Sequence, residues 1–223
     1  MLCLPRGPPL ATRPRAPKPK ENRRYHHGDL KQALVQAGLA LVDAEGLDAL
    51  STRALARTLG VSHAAPARHF PQRSALLAEV AAAAFDLFTG ELSSANVGSS
   101  PDLAFAAMGR AYVRFAIEHP GLTRLMFSAE IAKMNEAPER LVIASGAAYA
   151  VLEDGARSAL GTRATDERVA IAAFLGWSVT HGAATLWLDG PMRHDTSGAD
   201  PRARFLALAD AAIEGVRTAI AAM

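Results

Sequence analysis

Two short stretches between positions 51 and 73 carry side chains suited to reading a nucleic acid. Ser51 and Ser62 are of the type that caps a helix, and Gly60 can take the left-handed conformation that ends one. The second stretch, residues 63–70, is separated from the first by only a turn residue or two, so the two helices must cross sharply and hold one another. A short projecting helix held in this way can enter the major groove and place two or three side chains on base edges. Leu55, Leu59 and Val61 form the apolar hinge, leaving His63, Ala64, Ala67 and Arg68 outward as base-facing candidates. A guanidinium at Arg68 can bind guanine through two hydrogen bonds, worth about 1–3 kcal/mol of discrimination, and Ala64 or Ala67 can meet a thymine methyl. Backbone amides beside Thr52 and Ser62, together with Arg24, Tyr25, His69 and Arg73, are candidates for phosphates, which fix register without reading sequence. Phe70 reads as core, and an ordinary helical hairpin shares the same spacing.

Other chemistries have little to stand on. There is no G-x-S-x-G, H-E-x-x-H, P-loop or G-x-G-x-x-G, so the usual nucleophile, metal and phosphate devices of enzymes are missing as local motifs. Asp189, His194 and Asp195 fall close together, but in a Gly/Pro loop where polar residues are expected anyway. Cys3 is the single cysteine, so neither an intrachain disulfide nor a cysteine metal site is expected, and no cofactor is implied. Phe105, Met108, Phe115, Met126, Phe127, Trp177 and His181 are the candidate ligand-binding residues, on apolar helical faces that more often mean core than pocket. Two readings of His181 stand: it lines a cavity with Trp177, one helical turn away, or it is structural and satisfied by a neighbouring carbonyl. Beyond Arg110, Arg114, Glu118 and His119, few charges fall near these faces, which suggests a largely apolar effector.

Half of the 223 residues are hydrophobic but only 6% aromatic, so the core is built mainly from Ala, Leu and Val, a composition that favours helix over sheet. The net charge of +2 conceals an asymmetry. Residues 1–24 hold seven basic side chains against Glu21, and their prolines exclude a helix. They read as a mobile basic arm suited to tracking phosphates. A solubilising tail, a start codon assigned too early and a transit peptide are the alternatives. No run of about 18 uncharged apolar residues and no secretory signal is expected, which points to a cytoplasmic protein without a membrane partner.

The elements that position these residues follow from periodicity and punctuation. Leu30, Leu34, Ala37 and Leu41 mark one face of a helix that Asp29 can cap and Gly46 stops. A long Ala/Leu stretch over residues 72–92 is long enough to connect two domains. Further helices are expected over 102–119, ending at Pro120-Gly121, then 122–127, 138–160, 166–188 and 203–222. Gly146, Gly155, Gly176 and Gly182 lie inside helical runs, each costing up to about 1 kcal/mol against Ala, so close helix approach is expected to compensate.

The ordered motifs Arg24-Tyr25-His26-His27-Gly28-Asp29-Leu30, Ser51-Thr52-Arg53-Ala54-Leu55-Ala56, Leu59-Gly60-Val61-Ser62 and His69-Phe70-Pro71-Gln72-Arg73 resemble the DNA-binding domain of the tetracycline-repressor (TetR) family. The distal half resembles a carboxy-terminal domain of that family marked by Trp177, His181 and Gly182. The resemblance implies an all-α homodimer: a basic arm (1–24), a helix-turn-helix domain (25–71) and a helical ligand-binding and dimerisation domain (72–223) entered by a connecting helix (72–92). It implies a non-enzymatic regulator, a repressor released from palindromic double-stranded operator DNA by a small molecule, with the last two long helices of each partner forming a four-helix interface. Three positions depart from the pattern. Ala67 stands where the family usually has Tyr, putting one phosphate or base contact in doubt, Pro66 falls early in the recognition helix, and Arg73 replaces Lys with its charge kept.

Overall fold

Helix α1 (His27–Glu45) turns Leu34, Val35 and Val42 into the core. It begins two residues before Asp29, which lies within the first turn rather than capping it. Gly46 ends it at φ 85°, its N–H donating to Val42 O at 2.9 Å. The computed structural model describes residues 27–95, 100–134, 137–194 and 200–223, and every regular element among them is helical.

Local signals set the next two helices. Ser51 Oγ accepts from the Ala54 N–H at 3.1 Å and starts α2 (Thr52–Leu59), satisfying an amide the helix itself cannot. Gly60, at φ 65° and ψ 29°, ends it, and Val61 N–H donates back to Ala56 O at 3.0 Å. Ser51→Ala is expected to cost about 1 kcal/mol, read as a lower urea midpoint with an unchanged slope.

Helix α3 (Ala64–His69) starts later than residue 63, and the Ser62 hydroxyl does not cap it. The Ser62 carbonyl instead accepts from Ala65 N–H at 3.0 Å, and Pro66, in the first turn, has no N–H to donate to that carbonyl as a helical bond. The proline is accommodated: its ring is buried and its carbonyl accepts from Phe70 N–H at 2.8 Å.

Helix α4 (Arg73–Ser94) is 22 residues, about 33 Å long. It packs against α1, then against α5 (Pro101–Glu118), α6 (Pro120–Met126) and α8 (Glu139–Leu160). Between α6 and α8 lies a four-residue helix, α7 (Ala129–Ala132), capped by Ser128 and too short to leave a periodic trace. Helix α5 ends just before Pro120-Gly121 as expected from sequence, but the next helix starts at Pro120 and not at Leu122, since a missing N–H costs nothing at a first helical position.

Helices α9 (Asp166–Leu188) and α10 (Pro201–Ala221) complete the larger body with α5 and α8. Residues 169–188 hold no Asp, Glu, Lys or Arg, and α9 is long and apolar enough to cross a membrane by length and composition. That corrects the expectation of no such run. Eight of its residues, from Val169 to Leu188, are buried within the chain.

Close approach explains two of the four helical glycines. A Cβ on Gly155 would stand 2.8 Å from Met108 Sδ, and one on Gly176 2.9 Å from Phe105 Cζ. Gly146 and Gly182 face open space within the chain.

Candidate nucleic-acid interface and ligand cavity

The outward side of α3 is built by burying the other side. Leu55, Pro66 and Phe70 are in the core, Leu59 packs partly against it, and Ser62, His63, Ala64, Ala67 and Arg68 are exposed. Thr52, the first residue of α2, is half-buried, as is His69. Arg24 and Tyr25 lie outside the described residues. Arg73, at the start of α4, donates through Nη1 to Glu130 Oε2 of α7 at 2.6 Å. Both side chains are nearly half exposed, so the pair stabilises by about 1 kcal/mol or less and leaves the guanidinium open to a phosphate.

A cavity of about 240 Å³ lies between α4, α5, α8, α9 and α10. Phe105, Met108, Phe127 and Trp177 line it. Phe115, Met126 and His181 are not on its wall: Phe115 and Met126 are buried in the main core, and His181 stands behind Tyr112. The wall also includes Phe85, Phe88, Tyr112, Thr180 and Ile213, which sequence reasoning did not single out. Tyr112 was within reach of it, since Phe105, Met108, Tyr112 and Phe115 follow one helical face. Tyr149 of α8 and Trp177 of α9, both about two-fifths exposed, meet edge to face at 6.1 Å and mark the opening.

The Trp177 and His181 spacing has a specific use. Tyr112 Oη lies 2.8 Å from His181 Nδ1, and the Trp177 ring stands 6.3 Å from the same imidazole. A hydroxyl, not a carbonyl, therefore satisfies the histidine. Burial lowers the His181 pKa and keeps the ring neutral, and burial raises that of the Tyr112 phenol.

The nearby charges turn elsewhere. Arg110 pairs with Asp210 and Glu214 on α10, Arg114 is exposed, and Glu118 lies in the last turn of α5. His119 Nδ1 meets Asp43 of α1 at 2.7 Å. Asp189 accepts from Arg124 Nε at 2.9 Å, while Asp195 and the His194 side chain lie outside what is described.

Residues 34–80 match the family model for bacterial regulatory proteins of the tetR family, and residues 105–212 match that for the tetracyclin repressor-like C-terminal domain. The chain is 28% identical over 193 residues to Rv0681 of Mycobacterium tuberculosis, an uncharacterised HTH-type transcriptional regulator, covering 86% of this chain and 85% of that one. A solved structure of a protein of unknown function from Rhodococcus sp. RHA1 is 32% identical, with a TM-score of 0.67 over 87% of this chain and 98% of its own. The putative regulatory protein SCO4313 shares the fold at 20% identity and a TM-score of 0.65, over 88% and 98% of the two chains. The two halves of this chain match, in order, the two halves of one kind of regulator, and the protein belongs to the TetR family of transcriptional regulators.

Proposed function

We propose that the protein is a cytoplasmic homodimeric repressor that holds a palindromic operator through α3 and releases it when a small, largely apolar molecule enters the cavity. The observation that carries this reading is the α3 rod itself, with His63, Ala64, Ala67 and Arg68 exposed above a buried Leu55, Pro66 and Phe70. The division into an arm (1–24), a DNA-binding domain (25–71) and a ligand-binding and dimerisation domain (72–223) belongs to the same proposal. Thr52, Ser62, His69 and Arg73 hold phosphates, with Arg24 and Tyr25 from the preceding segment. Effector binding tilts α4, which starts at Arg73 directly after α3 and lines the cavity through Phe85, Phe88 and Leu92. Two half-sites must lie about 34 Å apart, so a small tilt becomes a lost contact.

Selection of bound sequences from a random DNA pool tests this. A palindromic consensus is expected; binding without preference, below about 10³-fold over random DNA, would overturn the reading. Within the selected site, Arg68→Ala is expected to relax preference at one base pair. Arg73→Ala is expected to weaken binding to every sequence and reduce the salt dependence by about one counterion. The reverse pattern would exchange their roles.

A further inference from the structure

Away from Tyr149 at the opening, the described residues put three hydroxyls on the cavity wall, those of Ser145, Thr180 and Tyr112. Ser145 Oγ donates to Leu141 O at 2.9 Å and Thr180 Oγ1 to Gly176 O at 2.8 Å, so both hydroxyl protons are engaged within their own helices. Tyr112, on α5, is different. Its side chain lines the cavity and its hydroxyl meets His181 of α9, with the rings of Phe127 and Trp177 beside the imidazole at 4.6 and 6.3 Å. Among the described residues, no cationic side chain is on the wall. Arg110 pairs with α10, and Arg140 of α8 pairs with Asp86 of α4.

From this arrangement we infer that the cavity selects a neutral, mainly hydrocarbon molecule carrying one hydroxyl, hydrogen-bonded to Tyr112 Oη beside His181. This rests on the cavity being the effector site. At about 30 Å³ for each water-sized unit, 240 Å³ holds a molecule on the order of ten non-hydrogen atoms. When His181 Nδ1 accepts the phenolic proton, Tyr112 offers a lone pair to a donor on the ligand. When the imidazole carries its proton on Nδ1, the Tyr112 O–H is released toward an acceptor. A ligand hydroxyl satisfies either arrangement, because it both donates and accepts. A carboxylate satisfies neither the dry wall nor a neutral His181, and would enter with its charge uncompensated. His181 is thus a positioning residue, setting the direction of the Tyr112 proton.

The test uses 4-propylphenol, propylbenzene and 4-propylbenzoate as matched probes, titrated calorimetrically into the full chain and into Tyr112→Phe. In the unaltered protein the phenol is expected to bind about tenfold more tightly than the hydrocarbon, the effect of one hydrogen bond in a dry site, with the benzoate weakest. In Tyr112→Phe the phenol and hydrocarbon are expected to bind alike, with hydrocarbon affinity unchanged. Equal affinities in the unaltered protein, a tighter benzoate, a phenol advantage that survives Tyr112→Phe, or no binding of any probe would overturn the inference. The probe comparison in the unaltered protein stands even if the variant fails to fold. Operator release is measured in the same samples: probes that bind in the expected order without releasing DNA would sink the repressor reading and leave this one intact.

Discussion

Gly121→Ala is expected to lower the stability of the protein by about 3 kcal/mol, the upper part of the usual overpacking range. A Cβ at this position would lie 2.0 Å from the Val42 carbonyl oxygen, 2.9 Å from its carbon and 3.2 Å from Asp43 Cα. All three are backbone atoms of α1, so no side chain can rotate aside. The glycine does not have a positive φ, so the constraint is contact and not conformation. To admit a methyl, α1 and α6 must separate, and the same carbonyl already accepts the Gly46 N–H that closes α1. The neighbouring bond between Asp43 and His119 would be strained by the same movement. Urea denaturation reads the effect; a loss below about 0.5 kcal/mol would show that the α1–α6 contact gives way without cost.

What can be foreseen from sequence divides along physical lines. Ser51 and Gly60 are legible because a cap and a left-handed terminator act through bonds to residues within five positions. The long helices are legible because their apolar spacing repeats for five or six turns. The start of α3 is not at Ser62 as its residue type suggests, since Pro66 has no N–H to make the i→i−4 bond to Ser62 O that would start a helix at residue 63. Gly121 reads as punctuation after Pro120, because closeness to Val42, nearly eighty positions away in the chain, leaves no local mark.

The cavity is the least legible part. Phe105, Met108, Phe115 and Met126 are all apolar at helical spacing, but only Phe105 and Met108 face space left unfilled when α5, α8 and α9 meet. Which apolar residues surround a void depends on what the opposing helices fail to supply. Trp177 and His181 stand out as a pair, whereas the hydrogen-bond partner of His181, Tyr112, comes from 69 positions earlier, and the fold is needed to reveal that pairing.

Phe174→Glu is expected to convert a dimer into a monomer and to weaken operator binding by about 100-fold or more. Ile171, Phe174, Ser178, Gly182 and Thr185 follow one face of α9, opposite its buried face, and Phe174 is 65% exposed, with Ile171 at 44%. On α10, Leu208, Ala211, Ala212, Gly215 and Ala219 form a second outward apolar stripe. A methyl group added at Gly182 or Gly215 would meet nothing within 4 Å, so both positions can admit a neighbouring helix closely. Two copies joined through these stripes would cover them and set the distance between the recognition helices. A twofold axis duplicates every change, so a carboxylate at position 174 enters the interface twice and must be desolvated twice. Within one chain the substitution is nearly harmless, because Phe174 is turned to solvent. Loss of the second half-site then removes the effective-concentration advantage of a linked pair, about 10²–10⁴. Light scattering at micromolar concentration should give twice the monomer mass for the unaltered protein and the monomer mass for the variant. A variant that remains dimeric, or a monomer that keeps full operator affinity, would remove the α9–α10 face from the mechanism.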